Sequence, residues 1–119
     1  MTRETDTNTE TILFDAPDRP HFKVGQVVSH KLFGYRGVIV DVHRNYQGTD
    51  EWYDRVAKSR PPKDQPWYEV LVHDSTRTTY VAERNLDIDI SGMPIKHPQI
   101  RMFFNEFHQG RYRVGGLQN

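Results

Sequence analysis

The chain has 119 residues, enough for one domain with a single modest core. Hydrophobic residues make up 35% and aromatic residues 12%. So many large rings in so polar a chain argue for a compact folded part with polar tails, because disordered chains are poor in them. The absence of cysteine excludes disulfides and thiolate metal sites and fits a reducing cytosol. Lys and Arg number 16, as do Asp and Glu, so the chain lacks the basic excess usual in dedicated DNA binders.

Residues 1–20 set Arg3 and Arg19 against Glu4, Asp6, Glu10, Asp15 and Asp18, a net charge of −3 that leaves +3 on the remainder. This Thr-, Asp- and Glu-rich stretch, with Pro17 and Pro20 near its end, has the composition of a flexible acidic tail. Ile12-Leu13-Phe14 is too short for a signal peptide or a membrane span. A folded domain is expected over residues 21–113. Residues 24–30 read as a turn into a strand. Residues 31–37 carry Gly34 and Gly37, where the backbone can bend. Residues 38–43 alternate, with Val38, Val40 and Val42 on one face and Ile39, Asp41 and His43 on the other, the pattern of a half-buried strand.

Tyr68, Val70 and Val72 repeat that logic. The turn signal Asp74-Ser75-Thr76-Arg77 and a returning segment over 78–82 make residues 68–82 a β-hairpin. Leu86 adds one more apolar anchor, and residues 88–97 read as loop. Pro98 suits the first turn of a helix. Ile100, Phe103, Phe104 and Phe107 then form one apolar helical stripe that ends at Gly110. Residues 114–119 form a flexible tail. The expected fold is mainly β: a small SH3-like, partly open β-barrel with one C-terminal amphipathic helix. The Phe stripe could pack on its own barrel or on that of a second copy, which leaves a homo-oligomer open.

No constellation for catalysis emerges. His21, His30, His43, His73, His97 and His108 lack close ligand spacing, and no metal or cofactor is expected. His73-Asp74-Ser75 holds triad residue types, but neighbours in one tight turn do not converge on a reacting atom. Gly34-Tyr35-Arg36-Gly37 lacks the spacing of a phosphate loop and precedes a strand rather than a helix.

The stretch between the strand ending near Val42 and the one starting at Trp67 exceeds twenty residues, a length that points to function or disorder. Trp52, Tyr53 and Trp67 argue against disorder, and Pro61, Pro62 and Pro66 stiffen the chain. The reading is a rigid, partly buried rim. Arg55, Lys58, Arg60 and Lys63 are cancelled by Asp50, Glu51, Asp54 and Asp64, so this is no uninterrupted cationic patch. The candidate surface for a protein partner or DNA is Tyr35, Arg36, Trp52, Tyr53, Lys58, Arg60, Lys63 and Trp67.

The blocks KVGQVVSHKLFGYRGVIVDV, DEWY, SRPPKDQPWYEVLV, TYVAERNL and SGMPIKHP, in this order over residues 22–113, resemble the HspQ family, also called the YccV-like hemimethylated-DNA-binding domain. The resemblance implies a small β-barrel of the bacterial cytoplasm with no catalytic activity. It implies two roles: a heat-shock adaptor that directs specific substrates to the Lon protease and can itself be degraded, and a binder of hemimethylated DNA that influences replication-initiator expression. A looser likeness of VVSHKLFGYRGVIV to SH3-like and Tudor-like modules implies a third, docking on transcription or repair machinery.

Overall fold

The computed structural model describes residues 19–115. The expected acidic tail lies outside them apart from Arg19 and Pro20, and the C-terminal tail apart from Val114 and Gly115. Five strands, β1 (Val27–His30), β2 (Arg36–His43), β3 (Trp67–Val72), β4 (Thr78–Ala82) and β5 (Leu86–Ile88), form one antiparallel sheet in the order β4-β3-β2-β1-β5. A 3₁₀ turn, Glu83–Asn85, carries the chain from one sheet edge, β4, to the other, β5. The two edges do not pair, so the barrel stays partly open, as its sequence predicts.

Alternation gives the sheet two packed faces. Inside the barrel Val28, Ile39, Tyr68, Val70, Val81 and Leu86 form one cluster. The opposite face carries two clusters under two separate coverings. Val27, Val38 and Leu71 pack against Ile95, Phe104 and Tyr112 of the C-terminal segment. Trp67 and Ala82 pack against Tyr53 of the segment between β2 and β3. Fully burying an apolar side chain of this kind contributes about 1.5–3 kcal/mol, so each covering is held chiefly by a few side chains.

The alternation of β2 breaks once. Ile39 pairs with Val70, but Asp41, not Val40, pairs with Glu69, which leaves a bulge at Val40. From there the facing reverses, so Val42 packs with the barrel interior rather than beside Val38 and Val40 as strict alternation requires. Asp41 and His43 lie instead on the face of Glu69 and Trp67, their partners in β3.

Two elements differ from the sequence expectation. The segment between β2 and β3 contains a helix, α1 (Asp50–Val56), capped by the Thr49 side chain accepting from the Trp52 amide, with Asp50 and Glu51 in its first turn. The C-terminal helix α2 is only Ile100–Phe103. Phe104 turns extended (φ −137°, ψ 154°) to reach the core beside Tyr112. The chain then forms a β-ribbon, β6 (Glu106–His108) and β7 (Arg111–Arg113). Gln109 and Gly110 both take positive φ, 53° and 78°, as a type I′ hairpin turn requires. Gly110 therefore closes a hairpin instead of ending a helix.

Gly25 joins the ribbon to the sheet. Its carbonyl accepts from the Tyr112 amide at 2.9 Å. Its φ is +94°, and a Cβ there would sit 2.1 Å from the Tyr112 carbonyl oxygen. Only glycine permits that approach.

Candidate functional site

A groove of about 790 Å³ runs along edge strand β4. Leu32 and Phe33 wall one side, Trp52 and Val56 of α1 the other, with Tyr35 and Tyr80 among the lining residues. Phe33 is 76% exposed, Leu32 59% and Val56 46%. Large apolar side chains gathered this openly mark a surface that gains by being covered.

The Leu32–Phe33 wall is set by the β1–β2 turn. Gly34 takes a φ of +76° there, and its amide donates to the His30 carbonyl at 2.8 Å. The amides of Leu32 and Phe33 both donate to Nδ1 of His30 at 3.1 Å, and the Phe33 ring stacks on the imidazole at 4.7 Å. Burial lowers the pKa of His30 below its ordinary 6.5, which favours the neutral ring that those two amides need. Tyr35 closes the end of the turn with a hydroxyl contact to Thr79 Oγ1 at 2.8 Å.

The opposite wall rests on an aromatic cluster. Trp67, 1% exposed, donates from Nε1 to the Pro62 carbonyl at 3.0 Å. The Tyr53 hydroxyl donates to the Pro61 carbonyl at 2.6 Å. Tyr46, Trp52 and Tyr80 pack around Trp67 with ring centroids 4.8–6.2 Å away. The Trp67 indole thus fastens the proline segment to the sheet and the Tyr53 phenol fastens it to α1, which gives physical content to a rigid rim.

Backbone groups also face this groove. In the β3–β4 ladder the Val72 amide donates to the Arg77 carbonyl and the Glu83 amide to the Pro66 carbonyl. By the antiparallel alternation, Thr78, Tyr80 and Ala82 then turn their amides and carbonyls outward from β3. The edge can accept an extended chain.

The eight candidate residues separate into three groups. Tyr35, Trp52 and Lys58 line the groove. Tyr53 and Trp67 are buried; Trp67 forms part of the groove's lining, whereas Tyr53 supports it from beneath. The cations Arg60, Lys63 and Arg36 are engaged within the fold. Arg60 pairs with Asp54 at 3.0 Å and lies over the Tyr53 ring at 4.7 Å. Lys63 pairs with Asp50 at 3.1 Å and lies 4.3 Å from the centre of the same ring. Arg36 clamps the segment after β5, donating to Asp89 Oδ2 at 3.1 Å and to the Met93 carbonyl at 2.5 Å. Burial opposes ionisation of Asp89, but hydrogen bonds from Arg36 and Ser91 outweigh it and hold the carboxyl below its ordinary range.

Leu32, Phe33 and Tyr80 line the groove without having been singled out by sequence. The available signal was Leu32-Phe33 beside Gly34: two large apolar residues in a turn have no core to enter.

A second surface has different chemistry. Residues 90–115 carry Lys96, Arg101, Arg111 and Arg113 against Glu106 alone. Glu106 is paired with Arg113 at 2.7 Å. Lys96, Arg101 and Arg111 are exposed, and Met102 beside them is 74% exposed. The C-terminal covering therefore carries most of the basic excess of the described chain.

Among the described residues no helix is long and apolar enough to cross a membrane. A family model described as "Hemimethylated DNA-binding protein YccV like" matches residues 20–111, a span that takes in the barrel, the groove and the first residue of β7.

Proposed function

The chain belongs to the YccV-like family, and from that premise we propose that it is a non-catalytic cytoplasmic adaptor whose groove holds an extended apolar segment of a protein partner. The exposed apolar groove beside an unpaired strand edge carries this reading. Backbone groups of Thr78, Tyr80 and Ala82 supply sequence-independent affinity, while Phe33, Trp52 and Val56 select apolar side chains. Lys58 at the rim favours an acidic flank. Of the roles that the family resemblance implies, presentation of substrates to the Lon protease matches this chemistry best.

The test is degradation of a panel of candidate substrates by purified Lon with ATP, with and without this protein. Selective acceleration of some substrates is expected, and Phe33→Ser or Val56→Ser should abolish it, because both side chains are exposed and the fold should survive their loss. Unchanged turnover across the panel, with the protein folded, would overturn the adaptor reading.

Binding of hemimethylated DNA is the second reading, and the basic C-terminal covering favours it. A two-stranded ribbon fits the major groove, where an adenine or cytosine methyl group is displayed. Arg101 and Arg111 would meet phosphates, and Met102 would offer an apolar contact. The two readings thus use separate surfaces. DNA binding should fall steeply with salt, prefer the hemimethylated duplex, and survive Phe33→Ser. Docking on transcription or repair machinery would also use the apolar groove; recovery of such a partner without Lon would distinguish it.

A further inference from the structure

We propose that Asp41, His43 and Glu69 form a divalent transition-metal site on the sheet face next to the groove. One ligand atom from each lies within 4.8 Å of the others. Asp41 Oδ2 and His43 Nε2 are 3.2 Å apart. Donors held by one cation at bonds of about 2.1 Å lie about 3–3.5 Å from each other, so the cluster needs little movement to close on an ion.

The bulge at Val40 creates this arrangement. Without it Asp41 and His43 would both face the barrel interior. With it, Asp41 stands directly across from Glu69, and His43 follows two residues later on the same face. Like charges directly opposite each other destabilise a sheet. Here the half-buried Glu69 carboxylate has no hydrogen bond or ion pair among the described residues. A cation between the two carboxylates resolves both features.

The histidine is oriented from behind. His43 Nδ1 lies 2.7 Å from the Tyr80 hydroxyl, which also accepts from the Gln47 amide at 3.0 Å. A metal on Nε2 places the ring proton on Nδ1, donated to that hydroxyl, which is how ligating histidines are ordinarily fixed. Asp41 Oδ1 accepts from the Val42 amide at 2.9 Å and leaves Oδ2 toward the cluster. One imidazole with two carboxylates suits Zn²⁺, Co²⁺ or Mn²⁺ better than Mg²⁺. Three protein ligands leave at least one position for water or for a carboxylate of a bound partner, since Glu69 and Tyr80 also line the groove.

Titration of the full chain with Co²⁺ and with Zn²⁺, read by visible absorption and calorimetry, tests this site independently of Lon or DNA. One ion per chain is expected, with Mg²⁺ failing to compete. His43→Gln and Glu69→Gln keep side-chain size and should each weaken binding tenfold or more. Tyr80→Phe should weaken it by about tenfold through the histidine's orientation. No saturable binding would overturn the proposal. So would binding unchanged in both His43→Gln and Glu69→Gln, which would assign the ion to other histidines.

Discussion

Two coverings lie on one face of the same sheet, and they differ in almost every physical respect. The covering between β2 and β3 is aromatic and electrically neutral over residues 50–64, with Arg60 and Lys63 spent on Asp54, Asp50 and the Tyr53 ring. The C-terminal covering packs Ile95, Phe104 and Tyr112 inside and is basic outside. One presents an apolar groove, the other an exposed basic ribbon. The two proposed readings therefore fall on separate surfaces, a protein segment over the first covering and DNA over the second.

The largest expected effect is on the aromatic covering. Trp67→Ala removes a fully buried indole and the Nε1 bond to the Pro62 carbonyl. A cost of about 3–5 kcal/mol is expected, read from urea unfolding. If the coverings are independent, hydrogen exchange in the surviving native fraction will show Tyr112 as well protected as before while amides of residues 50–66 exchange faster. Equal loss of protection at both would break the comparison.

Gly25→Ala attacks the other covering. The methyl group meets the Tyr112 carbonyl, and the positive φ penalises any L side chain. A loss on the order of 3 kcal/mol is expected, with exchange now accelerated at Tyr112 and unaltered at Tyr53. Groove-dependent activity should persist in the folded fraction. Loss of that activity at full folding would tie the groove to the ribbon and join the two surfaces.

How much of this was legible in sequence follows from range. The β3–β4 hairpin could be read because its alternation and its turn at Asp74 are local. The barrel followed from short strands and glycine bends. The C-terminal helix was misread because Ile100, Phe103, Phe104 and Phe107 have helical spacing, yet Phe104 gains more by turning into the core beside Tyr112 than by continuing a helix. That gain depends on a partner outside any local window. α1 did carry a local signal, Thr49 before Asp50-Glu51-Trp52, which is a cap followed by acidic first-turn residues. The bulge at Val40 had none, because register is a property of two strands; it alone brings Asp41 and His43 to Glu69. In sequence the rings of Trp52, Tyr53 and Trp67 fit core and contact surface equally; only packing decides that Tyr53 and Trp67 are buried and leaves Trp52 half-buried.

The smallest expected effect concerns pH and the wall of the groove that neither covering supplies. His30 is buried, and its Nδ1 accepts two amides only when unprotonated. Because the folded-state pKa is lowered by burial, the folded protein binds fewer protons than the unfolded chain just below pH 6.5. This contribution is complete above that value and declines as pH falls toward the lowered folded value. Protonation replaces an acceptor with a donor facing two donors, so the Leu32–Phe33 turn should loosen first. Groove binding should thus weaken as pH falls below 6.5, before global unfolding. Replacing His30 with Asn keeps an acceptor and removes the titration, and should flatten that slope. A slope unchanged in His30→Asn would place the pH response elsewhere and leave this wall as rigid as the aromatic one it faces.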